Sequence, residues 1–417
     1  MNVGCGATRI TPGLGVSMAG YFEDRFATAV RDELYAKALV FELDGEMAAL
    51  VSCDVICIPD DLVTAIREQV ERRAGVPAAD VMIAATHAHT GPRTRTSRLV
   101  SGDEVTGPWL DAFPAAVADA VAVAARDLEP CEAYSGTAYE DRIAFNRRFH
   151  MSDGSVRTNP GSRNPEVVKP AGPIDPEVSV VAFRSPRGGN KAILVNYACH
   201  LDNVGGTELS ADFPGYLAGR VAERLADAPF CVFLNGSCGD INHIDVNSER
   251  RRKGHEHSRW MGETLAGDVC EALADAVPLP VSSLRVRSAL ANLPTTDDPE
   301  DADTTEVQVV AFGECAVVGV PAEYFVELQL DIKARSPFSV TIVSELTNGW
   351  IGYVPTRKAF EENMGHVSGE RMAAFDHMGY EVRSALSRGY LPGVGEAIAE
   401  TAVGLLLEAH ATVHASG

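Results

Sequence analysis

The chain lacks most of the signatures that would assign a function directly. Its 417 residues hold no G-x-S-x-G nucleophile turn, no phosphate-binding P-loop and no H-E-x-x-H metal helix. Bases are scarce beside acids: 36 Lys and Arg against 58 Asp and Glu give a formal net charge of −22, which repels phosphate backbones and anionic lipid. Nucleic acid is therefore excluded as an expected partner. Aromatic residues are only 7% of the chain. No apolar run reaches the ~20 residues of a membrane span, since even the Ala-rich stretch 114–125 carries Asp119, so no span is expected. The N-terminus has neither a basic nor an apolar leader segment, and the nine cysteines form no C-x-x-C pair. Together these predict reduced thiols and a cytoplasmic chain.

What is present is a regular alternation of strand and helix patterns. Strands are predicted at 37–43, 47–53, 81–86, 192–199, 230–234, 281–289, 305–311, 315–320 and 339–345. Helices are predicted at about 59–73, 213–226, 258–276 and 396–412, the first opened by Pro59-Asp60-Asp61. The stretches 150–175 and 292–304 read as loops, and the strand pattern resumes unchanged after each. This predicts one continuous mixed α/β unit over residues 1–417, layered sheets flanked by helices.

Histidines cluster at strand ends. In Thr86-His87-Ala88-His89-Thr90-Gly91-Pro92 the two imidazoles are two residues apart at the end of an apolar strand, so both can project into one site. Such a pair can hold zinc, or place one ring on zinc and one beside it, or cap a core through hydrogen bonds to backbone. His200 ends a second strand, and Glu323 follows a third. Trp350-Ile-Gly-Tyr353 lies in a turn-rich stretch. His255-Glu-His257 is flanked by basic residues and reads as a solvated or anion-facing loop. Ser237 or Cys238, after the 230–234 strand, is a conceivable nucleophile.

Taken together, these segments resemble the neutral, non-lysosomal ceramidases, zinc amidases that cut the N-acyl bond of ceramide. The points of contact, in order, are Gly6-Ala-Thr-Arg-Ile-Thr-Pro12, Asp32-Glu-Leu-Tyr-Ala-Lys-Ala-Leu39, Val51-Ser-Cys-Asp54, the 86–92 segment, Asn146-Arg147, His200 with Ser210-Ala-Asp212, Gly239-Asp240, Val320-Pro-Ala-Glu323, Gly352-Tyr353 and Tyr380-Glu381. The resemblance implies a ceramidase-like fold with zinc held by His87, His200, Glu323 and Tyr353. It also implies His89 as the proton-moving group and Arg147 and Tyr380 near the scissile carbonyl. One segment departs. Where the family has a Ser in G-D-V-S-P-N, this chain reads Gly239-Asp240-Ile241-Asn242-His243-Ile244. The family also has a C-terminal Ig-like domain, whereas this sequence stops soon after its last helix.

The expectation is a zinc-dependent hydrolase of a small soluble substrate, cleaving an amide, or an ester or lactone. The same centre used for deacetylation or peptide cleavage, and a non-catalytic metal-binding protein, are the alternatives. A homo-oligomer is compatible with the sequence. Asn242 and His243, with Arg251, Arg252 and Lys253 nearby, are expected to line a polar, cationic end of the pocket that favours short polar or anionic acyl compounds over ceramide.

Overall fold

A computed structural model describes residues 1–95, 103–249, 252–296, 303–364 and 378–414. The alternating sequence pattern builds three principal sheets. The first runs Val81–Ala85, Glu46–Cys53, Tyr35–Leu43, Asn2–Arg9, Glu129–Pro130; the second runs Phe230–Asn235, Asn190–Tyr197, Glu177–Arg184, Glu132–Tyr139, Val277–Leu279. The third runs Leu284–Asn292, Thr304–Phe312, Cys315–Gly319, Val340–Ser344. Each sheet contributes one buried ring to a shared hub. Phe41, Phe183 and Phe312 are fully buried and lie with ring centroids 5.0 to 5.8 Å apart.

Helices cover the other face of each sheet. Asp60–Ala74 and Thr106–Arg126 pack on the first, Phe213–Arg224 and His255–Ala274 on the second, Val326–Arg335 and Val394–His414 on the third. The result is a mixed α/β architecture of layered sheets flanked by helices, as the sequence pattern predicts. Local rules set the boundaries. Asp60–Ala74 has acids in its first turn and Arg72 and Arg73 in its last, matching its dipole. Gly75, at φ 71°, ends it by donating its N–H to the Glu71 carbonyl.

Three expectations change. Thr106–Arg126 is long and apolar enough to cross a membrane by length and composition, which the sequence reading had excluded. Here it contains Pro114 and lies against Asn2–Arg9, where Gly4 and Gly6 admit it: a Cβ at Gly6 would stand 2.1 Å from the Ala120 carbonyl oxygen. Residues 150–175 are not simply a loop. Arg148–Met151 pairs with Val156–Thr158 and with Val167–Pro170 in a small antiparallel sheet. His255-Glu-His257 is the first turn of a helix; His255 pairs with Glu208 at 3.2 Å, and His257 is buried and stacked on Trp260. Of the expected 292–304 loop, residues 297–302 lie outside the described residues, as does Arg251.

Each sheet also contains one parallel pair of strands: Glu46–Cys53 with Val81–Ala85, Asn190–Tyr197 with Phe230–Asn235, and Cys315–Gly319 with Val340–Ser344. Their carboxyl ends meet. Asn235 donates through its side chain to the Thr86 carbonyl (3.2 Å), Glu345 N–H donates to the Asn235 carbonyl (3.1 Å), and Ala85 N–H to the Leu346 carbonyl (3.1 Å). Ligand sites in α/β sheets gather at such carboxyl ends.

Candidate metal centre

The residues that follow those strand ends converge on one point. His87 comes two residues after Val81–Ala85, His200 three after Asn190–Tyr197, and Glu323 shortly after Cys315–Gly319. Glu323 and Tyr353 are direct partners in a short parallel ladder, which fixes their side chains relative to each other. His87 sits at φ 75°, a left-handed conformation that costs a non-glycine residue about 1–3 kcal/mol. The turn re-aims its ring. His87 N–H donates to the Val55 carbonyl at 3.0 Å, which holds that conformation.

The donor atoms form a compact set. His87 Nε2 lies 3.1 Å from His200 Nε2, 3.2 Å from His89 Nε2 and 3.5 Å from Glu323 Oε2; His200 Nε2 lies 3.7 Å from Glu323 Oε2 and 3.5 Å from Tyr353 Oη. Ligands about 2.0–2.1 Å from a tetrahedral metal are roughly 3.4 Å apart, so these separations fit one ion. Tautomers are set from behind. His87 Nδ1 donates to the Ile56 carbonyl and His200 Nδ1 to the Cys238 carbonyl, each at 2.8 Å, which turns both Nε2 atoms inward. Among the described residues, His87, His89 and His200 form a group able to hold a metal ion.

Electrostatics follow from burial and neighbours. Burial works to raise the Glu323 carboxyl, but the hydrogen bond and charge of His87 outweigh it and hold Glu323 well below the carboxylate range. His89 is pushed down to about 3 by burial and the adjacent His87, and His200 is also driven down, so both rings are neutral. His89 is clamped from outside: Arg25 donates to its carbonyl at 2.8 Å, and Gly20, at φ +99°, presses so close that a Cβ there would lie 2.6 Å from His89 Cα. Its Nδ1 is buried without a hydrogen-bond partner.

Arg147 is buried beside the cluster, with Nη2 donating to the Gly239 carbonyl (2.7 Å), Nε 2.7 Å from Glu381 Oε1 and Nη1 3.5 Å from His200 Nε2. Tyr380 packs edge-on against Tyr353 at 5.2 Å. All seven residues expected at the metal and the scissile bond, namely His87, His89, Arg147, His200, Glu323, Tyr353 and Tyr380, line one cavity of about 540 Å³.

The expected substrate end is placed differently. Asn242 and His243 are buried one layer behind the wall: Asn242 donates to Asn159 (3.1 Å) and His243 Nδ1 to Asp202 (2.9 Å), and it is Asn159 and Asp202 that line the cavity. Arg252 is tied to Asp245 and the Arg142 carbonyl, and neither it nor Lys253 lines the cavity. Cys238 is buried and bonded to Glu345, its thiol driven far up by burial, and neither it nor Ser237 lines the cavity, which removes both as nucleophiles there.

Sequence reasoning passed over Glu345. This buried carboxyl accepts from the backbone N–H of Cys238 (2.8 Å) and Tyr324 (3.2 Å), bracing the segments that carry His200's carbonyl partner and Glu323. Burial pushes it up to about 7. A lone acid after an apolar strand gives no signal of that role.

No family model matches the chain, and no curated protein matches it in sequence. Solved structures do. The neutral ceramidase from Pseudomonas aeruginosa superposes with a TM-score of 0.75 at 17% identity, over 97% of this chain and 74% of that one. A ceramidase complexed with C2 superposes with a TM-score of 0.78 at 16% identity, over 99% of this chain and 75% of that one. The chain therefore has the fold of the neutral ceramidases.

Proposed function

We propose that the protein is a zinc-dependent hydrolase that cleaves the amide bond of a small soluble N-acyl compound. The observation that carries this reading is the pair of inward Nε2 atoms 3.1 Å apart, each ring committed through Nδ1 to a carbonyl, with a carboxylate and a phenol alongside. Two Nε2 atoms at that distance need a positive charge between them, which a proton on His87 supplies in the metal-free protein and a bound metal ion would replace. His87, His200, Glu323 and Tyr353 would hold it, a set that suits zinc. When bound, zinc polarises a carbonyl and makes a water acidic enough to lose a proton near neutrality.

The chain's own residues supply the rest. Neutral His89 takes a proton at Nε2 from the attacking water and passes it to the leaving nitrogen; the product acid's own proton then also goes to the amine, so amide and water become carboxylate and ammonium. Arg147, held by Glu381 and the Gly239 carbonyl, keeps its charge beside the cluster where negative charge would develop on the carbonyl oxygen. Tyr380, whose hydroxyl is held protonated by burial, donates to the same region. Elemental analysis of chelator-free protein tests the reading first. About one zinc per chain is expected, lost in His87→Ala and in His200→Ala. A metal-free preparation that hydrolyses N-acyl compounds at full rate would overturn it.

A further inference from the structure

The cavity's charge runs against the charge of the molecule. In a chain of 58 acids and 36 bases, five arginines line this one cavity, Arg93, Arg95, Arg147, Arg383 and Arg388, against two carboxylates, Asp202 and Glu323. Arg93 pairs with Asp24 (2.9 Å) and Arg147 with Glu381 (2.7 Å). Arg383 and Arg388 form no ion pair with a carboxylate among the described residues. Cationic groups gathered on one wall of a cavity make that wall attractive to an anion.

Their placement is specific. The guanidinium carbons of Arg95 and Arg388 lie 4.1 and 4.4 Å from the ring centroid of Trp350. Trp350 donates through Nε1 to Glu323 Oε1 at 3.1 Å, so the indole ties these two arginines to the metal-centre carboxylate. Gly352, at φ +85°, leaves the slot that Arg388 fills; a Cβ there would come within 2.5 Å of Arg388 Nε. Arg383 lies one helical turn beyond Tyr380 in Tyr380–Ser387 and also lines the cavity. A stacked, planar guanidinium keeps its N–H edge available for two parallel hydrogen bonds to an oxyanion.

We infer that Arg95, Arg383 and Arg388, organised by Trp350, form a subsite for an oxyanion carried by the substrate, so that the enzyme acts on short N-acyl compounds bearing a carboxylate or phosphate. This rests on the hydrolase reading above. It relocates the cationic end of the pocket from the 251–253 run to arginines that are far apart in sequence.

The test uses zinc-loaded full-length protein and a panel of short N-acyl compounds, each as free carboxylate, phosphate ester and uncharged amide. Calorimetry reads affinity and a separate assay reads turnover. At least one charged member should bind about tenfold or more tightly than its uncharged counterpart. That margin should shrink to within about twofold in Arg95→Gln/Arg388→Gln and fall partway in the exposed Arg383→Gln, which is expected to fold normally. Which charged member leads distinguishes carboxylate from phosphate. If no charged member outbinds its uncharged counterpart, or the margin survives the double variant, the inference is wrong. Charge-dependent binding without any turnover would instead overturn the hydrolase reading and leave the subsite standing.

Discussion

His87 and His89 stand two residues apart at one strand end, yet the structure gives their rings different surroundings. His87 has its Nδ1 fixed by a backbone carbonyl and its Nε2 facing three other donors, the setting of a ligand. His89 has no such fixture on Nδ1 and is held through its backbone by Arg25 and by Gly20. His89→Ala should therefore keep most of the zinc while losing roughly 10² to 10⁴ in kcat. Metal content and rate measured on the same preparation separate the roles; an emptied site would make His89 a ligand. At this scale the sequence was most legible in the histidines at strand ends, His87, His89 and His200, whereas Glu323 and Tyr353 stood out only through the family resemblance. It was silent where function comes from scattered residues of a common type. Arg95 and Arg388 carry no local pattern, and only the fold brings them to Trp350.

Elements show why some boundaries were readable and others were not. The strands at 37–43, 47–53 and 81–86 emerge nearly where expected because short apolar runs bounded by turns leave few alternatives. Thr106–Arg126 was not read as a helix. It is apolar over most of its length, so periodicity does not mark it; its start signal is Asp103, whose carboxylate accepts from the Thr106 N–H at 2.9 Å. Its contact with the first sheet depends on Gly4 and Gly6. Gly6→Ala should force the helix away from the strand and lower Tm by several degrees, with a cost of about 1–3 kcal/mol as in other overpacked sites. An unchanged melting curve would show that the contact is not tight.

A second element-scale prediction concerns Asp268 in His255–Ala274. Burial, with Glu140 nearby, pushes its carboxyl up to about 7, and Oδ2 has no hydrogen-bond partner. The folded state thus favours the protonated form. The stability this gives is complete below the unfolded value near 4 and is lost as pH rises through about 7. Asp268→Asn should raise Tm at pH 8, on the order of 1–3 °C, and have little effect at pH 4.5. Equal shifts at both pH values would contradict this assignment.

At the scale of the whole molecule, layering was legible but assembly was not. Runs of strand and helix announce a mixed α/β chain. Nothing in a single run says that Phe41, Phe183 and Phe312 meet, or that three parallel pairs end at one place. The proposed ion would join all three sheets, so its removal should be felt globally. Chelation should lower Tm on the order of 5 °C, reversibly on adding zinc back, by preferential binding to the folded state. A Tm indifferent to chelator would show that no tightly held ion contributes.

The convergence of three strand ends also sets an order of events in time. Each sheet contains a hairpin that can form early because its pairing is local in sequence: Tyr35–Leu43 with Glu46–Cys53, Glu177–Arg184 with Asn190–Tyr197, and Thr304–Phe312 with Cys315–Gly319. The cluster from His87 to Tyr353 exists only once all three sheets have docked. Metal affinity is thus the last property the chain acquires when it folds and the first it gives up when any one sheet loosens.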